Sequence, residues 1–292
     1  MDRHLADRIA IRDVVETWVI ARDSGDWETF RGTWHDDGYM MATWWQGPAE
    51  EFTEVSRAGW ERGVNIMHFL GGCRVTVAGD RAIAQTKMTI MQRGVLHGVR
   101  CDVACTGRFY DFFERRHQPA EQRGAQPADR PGGESGESRW AIVLRQPIYE
   151  KDRLDPVDPA ATVTLDPDLL NAFPEGYRHL AYLQTHLGFA VKPDMPGLRG
   201  PEVQRLYARG AAWLDGEPIA SPARPAGPES AEAFGAREPV QAAGIAVTVK
   251  GAAMTEPTSP PGVPTDLSIT ARPPTTTTSS PDADDHTRPV TP

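Results

Sequence analysis

The chain has 292 residues, 39% of them apolar, which is enough for one or two domains with a real core. Its net charge of −9 comes from interspersed acids and bases, with no basic cluster of the kind nucleic-acid binding needs. Apolar runs are all too short for a transmembrane helix, and the polar opening Met1-Asp2-Arg3-His4 predicts no signal peptide. Cys73, Cys101 and Cys105 form an odd, sparse set that argues against a disulfide framework, so the expectation is a cytoplasmic protein.

In chain order, Leu5, Ile9, Val15, Trp18 and Val19 predict an amphipathic helix over 4–22. Asp26 then caps a second helix, Trp27 to Trp34, with Thr29 three residues on. A strand is expected near Gly38–Trp45 and a third helix from about Pro48 to Arg62. Four strands follow, at 72–78, 81–92, 97–113 and 139–149. On the third, Val99, Cys101, Val103, Cys105 and Gly107 alternate onto one face. Residues 117–138, rich in Gln, Pro, Gly and Glu, read as an enlarged, disordered hairpin turn. Helices followed by an antiparallel meander make an α+β pattern. Residues 151–214 offer two further short helices, one through Tyr177, Leu180, Leu183 and Leu187, the other through Val203, Leu206, Tyr207 and Trp213. Leu169 to Pro174 could lie across the mouth of the fold as a lid, or pack on its exterior or on a neighbouring subunit. From Asp215 onward the chain carries 14 of its 26 prolines, and this segment is expected to be a disordered tail. The expected division is thus a domain over 1–155, a helical extension over 156–214 and the tail over 215–292.

The chemistry-bearing residues begin with what is missing: no glycine-rich phosphate loop, no nucleophile elbow and no H-E-x-x-H. Cys101 and Cys105 lack the spacing of a zinc site, so no cofactor and no metal is expected. Asp23 closes the first helix, and His68 lies in the apolar run Val64–Leu70. A carboxylate beside a neutral imidazole would hold one tautomer and make a general base. Alternatively, Asp23 caps the Ser24-Gly25-Asp26 turn and His68 is a satisfied core histidine. Arg145, inside a strand, faces either solvent or a polar cavity where it binds a developing oxyanion. His97 shares parity with Cys105, and could face the same cavity or sit in a loop. Trp18, Trp34, Trp44, Trp45, Tyr39 and Met40 supply core, and some could line an apolar pocket.

The segments Leu5–Val15, Ala21-Arg22-Asp23-Ser24-Gly25-Asp26-Trp27-Glu28 and Trp34-His35-Asp36-Asp37 resemble the opening of a SnoaL-like domain. That family belongs to the nuclear-transport-factor-2-like superfamily. His68-Phe69, Phe113-Glu114-Arg115-Arg116 and Trp140 continue the resemblance over about 1–150. It implies a cone-shaped α+β barrel, three N-terminal helices packed on a curved, mostly antiparallel sheet, that forms a homo-oligomer, either trimer or dimer. Within the superfamily the pattern is most similar to scytalone dehydratase and hexachlorocyclohexane dehydrochlorinase. By that resemblance Asp23 and His68 are a catalytic dyad, and Arg145 is a pocket arginine. Met40 stands where the dehydrochlorinase has a pocket tryptophan, and His97 only loosely matches a second histidine. The expected activity is a cofactor-independent lyase of dehydratase type acting on a small apolar or aromatic substrate, through Asp23, His68 and Arg145. The expected pocket is Met40, Trp18, Tyr39, His97 and Cys105. An isomerase or polyketide-cyclase-type enzyme of the same fold, or a non-catalytic small-molecule-binding protein, are the alternatives.

Overall fold

A computed structural model describes residues 4–117 and 138–219. Helix α1 (Leu5–Ser24) buries Ile11, Val15, Trp18, Val19 and Arg22, a single stripe at helical spacing. It stops because Gly25 adopts a left-handed conformation (φ 80°), returning its N–H to the Ala21 carbonyl. Asp26 does cap α2 (Trp27–Gly32) by accepting from the Thr29 N–H at 3.1 Å. The expected run to Trp34 is cut short there, because Trp34 already opens β1 (Trp34–Met41). Strand β2 (Gln46–Pro48) and helix α3 (Ala49–Glu61) follow.

The meander is longer than the sequence reading predicts. It comprises β3 (Asn65–Ala78), β4 (Arg81–Leu96), β5 (Val99–His117) and β6 (Ser138–Pro156). Strand β3 starts seven residues before the expected 72, so His68 lies within the strand, paired with Ile90, rather than ahead of it. The apolar run Val64–Leu70 hides the onset, since a continuous apolar stretch carries no period-2 signal. The sheet order is β2-β1-β6-β5-β4-β3, antiparallel throughout except for the parallel pair β1–β6. The fold is therefore the expected α+β architecture with a curved six-stranded sheet. Helices α4 (Pro167–Asn171), α5 (Arg178–His186) and α6 (Pro201–Leu214) complete the described residues. Of the expected enlarged turn, His117 and Ser138 belong to β5 and β6, and residues 118–137 lie outside the described residues, as do residues 220–292 of the expected tail.

The sheet separates two cores. One face, with α1, α3 and α5, buries Trp18, Phe30, Met40, Phe52, Phe109 and Tyr149. The other face buries Tyr39, Ile83, Phe112, Val143 and Ile148 against Val203, Leu206 and Trp213 of α6. Two irregularities in the β5–β6 pairing decide which β6 residues face which core. Phe112 pairs with Leu144 but Phe113 with Ile142, so Val143 is an extra residue, and parity flips there. Ile142 faces the first core, and beyond the bulge the same side carries Arg145, Pro147 and Tyr149. At the second irregularity Gly107 faces Tyr149. A Cβ on Gly107 would stand 2.0 Å from the Ile148 carbonyl oxygen, so only glycine lets the strands meet at that point.

Candidate active site

Asp23 and His68 meet inside the first core. One Asp23 oxygen accepts from His68 Nδ1 at 2.9 Å and the other from the His68 backbone N–H at 2.5 Å. Strand β3 is a sheet edge, so its outward N–H groups need acceptors, and the end of α1 supplies one. Arg12 of α1 fastens the same edge by donating to the Cys73 carbonyl at 2.8 Å. Since a carboxylate only accepts, the Nδ1 proton is fixed on His68 and the Nε2 lone pair is left free. Nε2 has no hydrogen-bond partner among the described residues, and His68 lines a cavity.

Burial is the largest influence on His68 and pushes its imidazole below the ordinary value. The Asp23 hydrogen bond opposes this, while the charges of Arg22 and Arg145 add to it. For Asp23, burial alone would raise the carboxyl, but the hydrogen bonds and charge of His68 together hold it below its ordinary value. At neutral pH the pair is thus a carboxylate and a neutral imidazole, the protonation states a general base requires.

The cavity has about 30 Å³ of free space, room for about two waters. Trp18, Met40, Phe52, Ile66, Ile90, Phe109 and Tyr149 form the apolar part of its wall. Trp18 meets the His68 ring edge-on, at a centroid distance of 5.5 Å. Thr43, Gln92 and Gln184 supply polar groups: the Thr43 hydroxyl donates to Gln184 at 2.7 Å, and the Gln184 amide donates to Gln92 at 3.3 Å. Leu180 and Gln184 belong to α5, which therefore roofs the cavity. The segment 169–174 does not. Leu169, Leu170 and Phe173 pack instead at the margin of the first core.

Not every expected residue arrives at this cavity. Trp18 and Met40 line it. Tyr39, one residue from Met40, points through the sheet into the second core, as strand alternation demands. His97 sits in the β4–β5 turn with a positive φ of 51° and faces the Tyr182 hydroxyl at 3.1 Å. Cys105 is buried on the first-core face but lies under the α5 approach, donating to the Gly176 carbonyl at 3.5 Å. Burial pushes its thiol well above the ordinary value. Arg145 is fully buried and donates to both Asp111 oxygens, at 2.7 and 2.8 Å. Its guanidinium carbon lies 4.1 and 4.0 Å from the Trp18 and Phe109 ring centroids. It stands one layer behind the cavity surface and reaches the site as a charge.

Arg22, Gln92, Thr43 and Gln184 are cavity residues that sequence reasoning missed. Asp111 was missed as well, although a second charge at a first-core position of β5 was the available signal. Among the described residues no group of three or more metal-ligating side chains converges. None of the described helices is long and apolar enough to cross a membrane.

Residues 3–125 match the family described as the SnoaL-like domain. A PEP2-like protein of Fusarium vanettenii is 33% identical over 229 residues, covering 75% of this chain and 90% of that protein. Pea pathogenicity protein 2 of the same fungus is 34% identical over 224 residues, covering 73% of this chain and 88% of that one. Among solved structures, a hexachlorocyclohexane dehydrochlorinase is 15% identical, covers 56% of this chain and 95% of its own, and superposes with a TM-score of 0.40. With a third of the aligned residues identical along about nine-tenths of the length of such relatives, the chain belongs to the SnoaL-like domain family, beside the fungal PEP2-like proteins.

Proposed function

We propose that this chain is a cofactor-independent lyase that eliminates water from a small cyclic or aromatic compound, with His68 as general base and Asp23 as its orienting carboxylate. The observation that carries this reading is the two-point grip of Asp23 on His68 beside a buried cavity, which leaves Nε2 as the free basic atom. Nε2 takes a proton from a substrate carbon, and the C–H pair becomes the new double bond. The hydroxyl on the adjacent carbon leaves with its own pair, and the imidazolium returns the proton to it, releasing water. Asp23 stabilises the transient imidazolium, and Arg145 is a positioning residue that braces Trp18 and Phe109 and keeps the resting imidazole neutral.

The test is turnover of a panel of hydroxylated cyclic ketones and phenols, read by mass as loss of the elements of water. His68→Ala and Asp23→Asn should each lower kcat by about 10²–10⁴-fold with the circular dichroism unchanged. In Asp23→Asn the amide can donate to Nδ1, which moves the ring proton to Nε2 and removes the base. Undiminished turnover in either variant rejects the dyad. Solvent deuterium incorporated without loss of water would instead identify an isomerase.

A further inference from the structure

We infer that Arg22 binds a substrate oxygen that carries negative charge, so that the cavity takes phenols or enolisable ketones whose oxygen lies within reach of both Arg22 and His68. The inference rests on the Asp23–His68 reading and extends it to the class of substrate.

Arg22 occupies the last turn of α1, and its side chain is only 8% exposed. A guanidinium taken so far out of water needs several acceptors. Among the described residues its one acceptor is Asp23 Oδ1, at a long 3.4 Å. Arg145, fully buried, has both carboxylate oxygens of Asp111 at 2.7 and 2.8 Å. Capping the helix end does not explain Arg22 either, because it donates to no α1 carbonyl. Arg22 lines the His68 cavity and also an adjoining space bounded by Trp60 and Phe189, and Trp44, Ile66, Gln92 and Gln184 are common to both.

The charge pattern fits one kind of occupant. No carboxylate is among the residues lining either space, so Arg22 faces them with a cationic charge that only Asp23, behind it, offsets. Arg22 and His68 Nδ1 share the same Asp23 oxygen, which places guanidinium and imidazole side by side. When His68 removes a proton from a carbon next to a carbonyl, the electron pair moves onto the carbonyl oxygen. Arg22 is then the donor that receives it, its hydrogen bond strengthening as the charge grows.

The experiment uses the full chain with 4-nitrophenol as probe and nitrobenzene as its neutral counterpart, with phenolate absorbance reporting ionisation. The wild-type protein should bind the phenolate form and lower the pH at which the bound phenol ionises. Arg22→Gln should weaken phenolate binding by about 10–100-fold while leaving nitrobenzene binding unchanged. Arg22→Lys, which keeps a charge but loses the fork, should fall between, and serves if Arg22→Gln fails to fold. His68→Ala should retain phenolate binding. Equal phenolate affinity in the Arg22 variants, parallel loss of nitrobenzene binding, or no phenolate binding by the wild type would overturn the inference. Turnover retained by His68→Ala would instead reject the dyad while leaving the phenolate result standing.

Discussion

At the residue scale the proposed site rests on an imidazole that burial keeps neutral and that one carboxylate holds in place. Burial and two arginine charges disfavour the imidazolium, and one carboxylate favours it. Because the folded-state pKa of His68 is lowered, the acid limb of kcat/KM should lie below the ordinary imidazole value, as a pH–rate profile would show. Stability follows the same sign. Above the ordinary imidazole pKa the ring is neutral in both states and costs nothing extra. As pH falls from that value through the folded value, the unfolded chain gains a proton that the native ring resists, and stability is lost. His68→Gln should flatten that segment of a denaturation-against-pH curve. Asp23 and His68 were legible because their residue types and the flanking segments resemble a known arrangement. Arg22 was not legible: a basic residue in the last turn of a helix ordinarily serves the helix dipole, and nothing local distinguishes one that faces a cavity.

At the scale of elements, α5 is the piece that closes the cavity, and its anchor is a second carboxylate. The side chain of Asp152 on β6 is fully buried and accepts from His179 Nδ1 at 2.8 Å and from the Leu180 N–H at 2.9 Å. Tyr177, the residue preceding the helix, offers no side-chain cap, so Asp152 caps α5 from another strand. With free space for about two waters around His68, a ring-shaped substrate needs the lining to shift, and Leu180 and Gln184 of α5 are part of that lining. Asp152→Ala should cost about 1–3 kcal/mol and raise amide exchange across Arg178–His186 more than across α1, measurable by hydrogen exchange. The helices α1, α3, α5 and α6 were readable from their apolar spacing, whereas five-residue α4 is too short to show a period. Arg145 shows the limit for strands. Strict alternation from Ile142 would send it to the opposite face, and the extra residue Val143 brings it to the site side instead.

At the scale of the whole described fold, the sheet is a partition, with the candidate site on one side and α6 on the other. Trp213 is the main anchor of the α6 side. It is 4% exposed, donates from Nε1 to the Phe113 carbonyl at 3.3 Å, and lies under Arg81 at 4.0 Å. Trp213→Ala should cost about 3–5 kcal/mol, lowering Tm by about 2–4 °C per kcal/mol. Turnover well below the new Tm should be unchanged, since no atom of Trp213 lines the cavity. A thermal melt and an assay at low temperature separate the two effects.

By itself the sequence determined the class of fold, the order of the longer helices and strands and the cap at Asp26. Each of these is carried by local spacing or by residue type. The tertiary structure alone decided the parallel β1–β6 contact, the parity flip at Val143, the removal of Tyr39, His97 and Cys105 from the cavity lining, and the entry of Arg22, Gln92 and Gln184. Those outcomes depend on which strand edges meet and in what register. Such choices are made by the sum of many long-range contacts, of which no short stretch of chain holds more than a fraction.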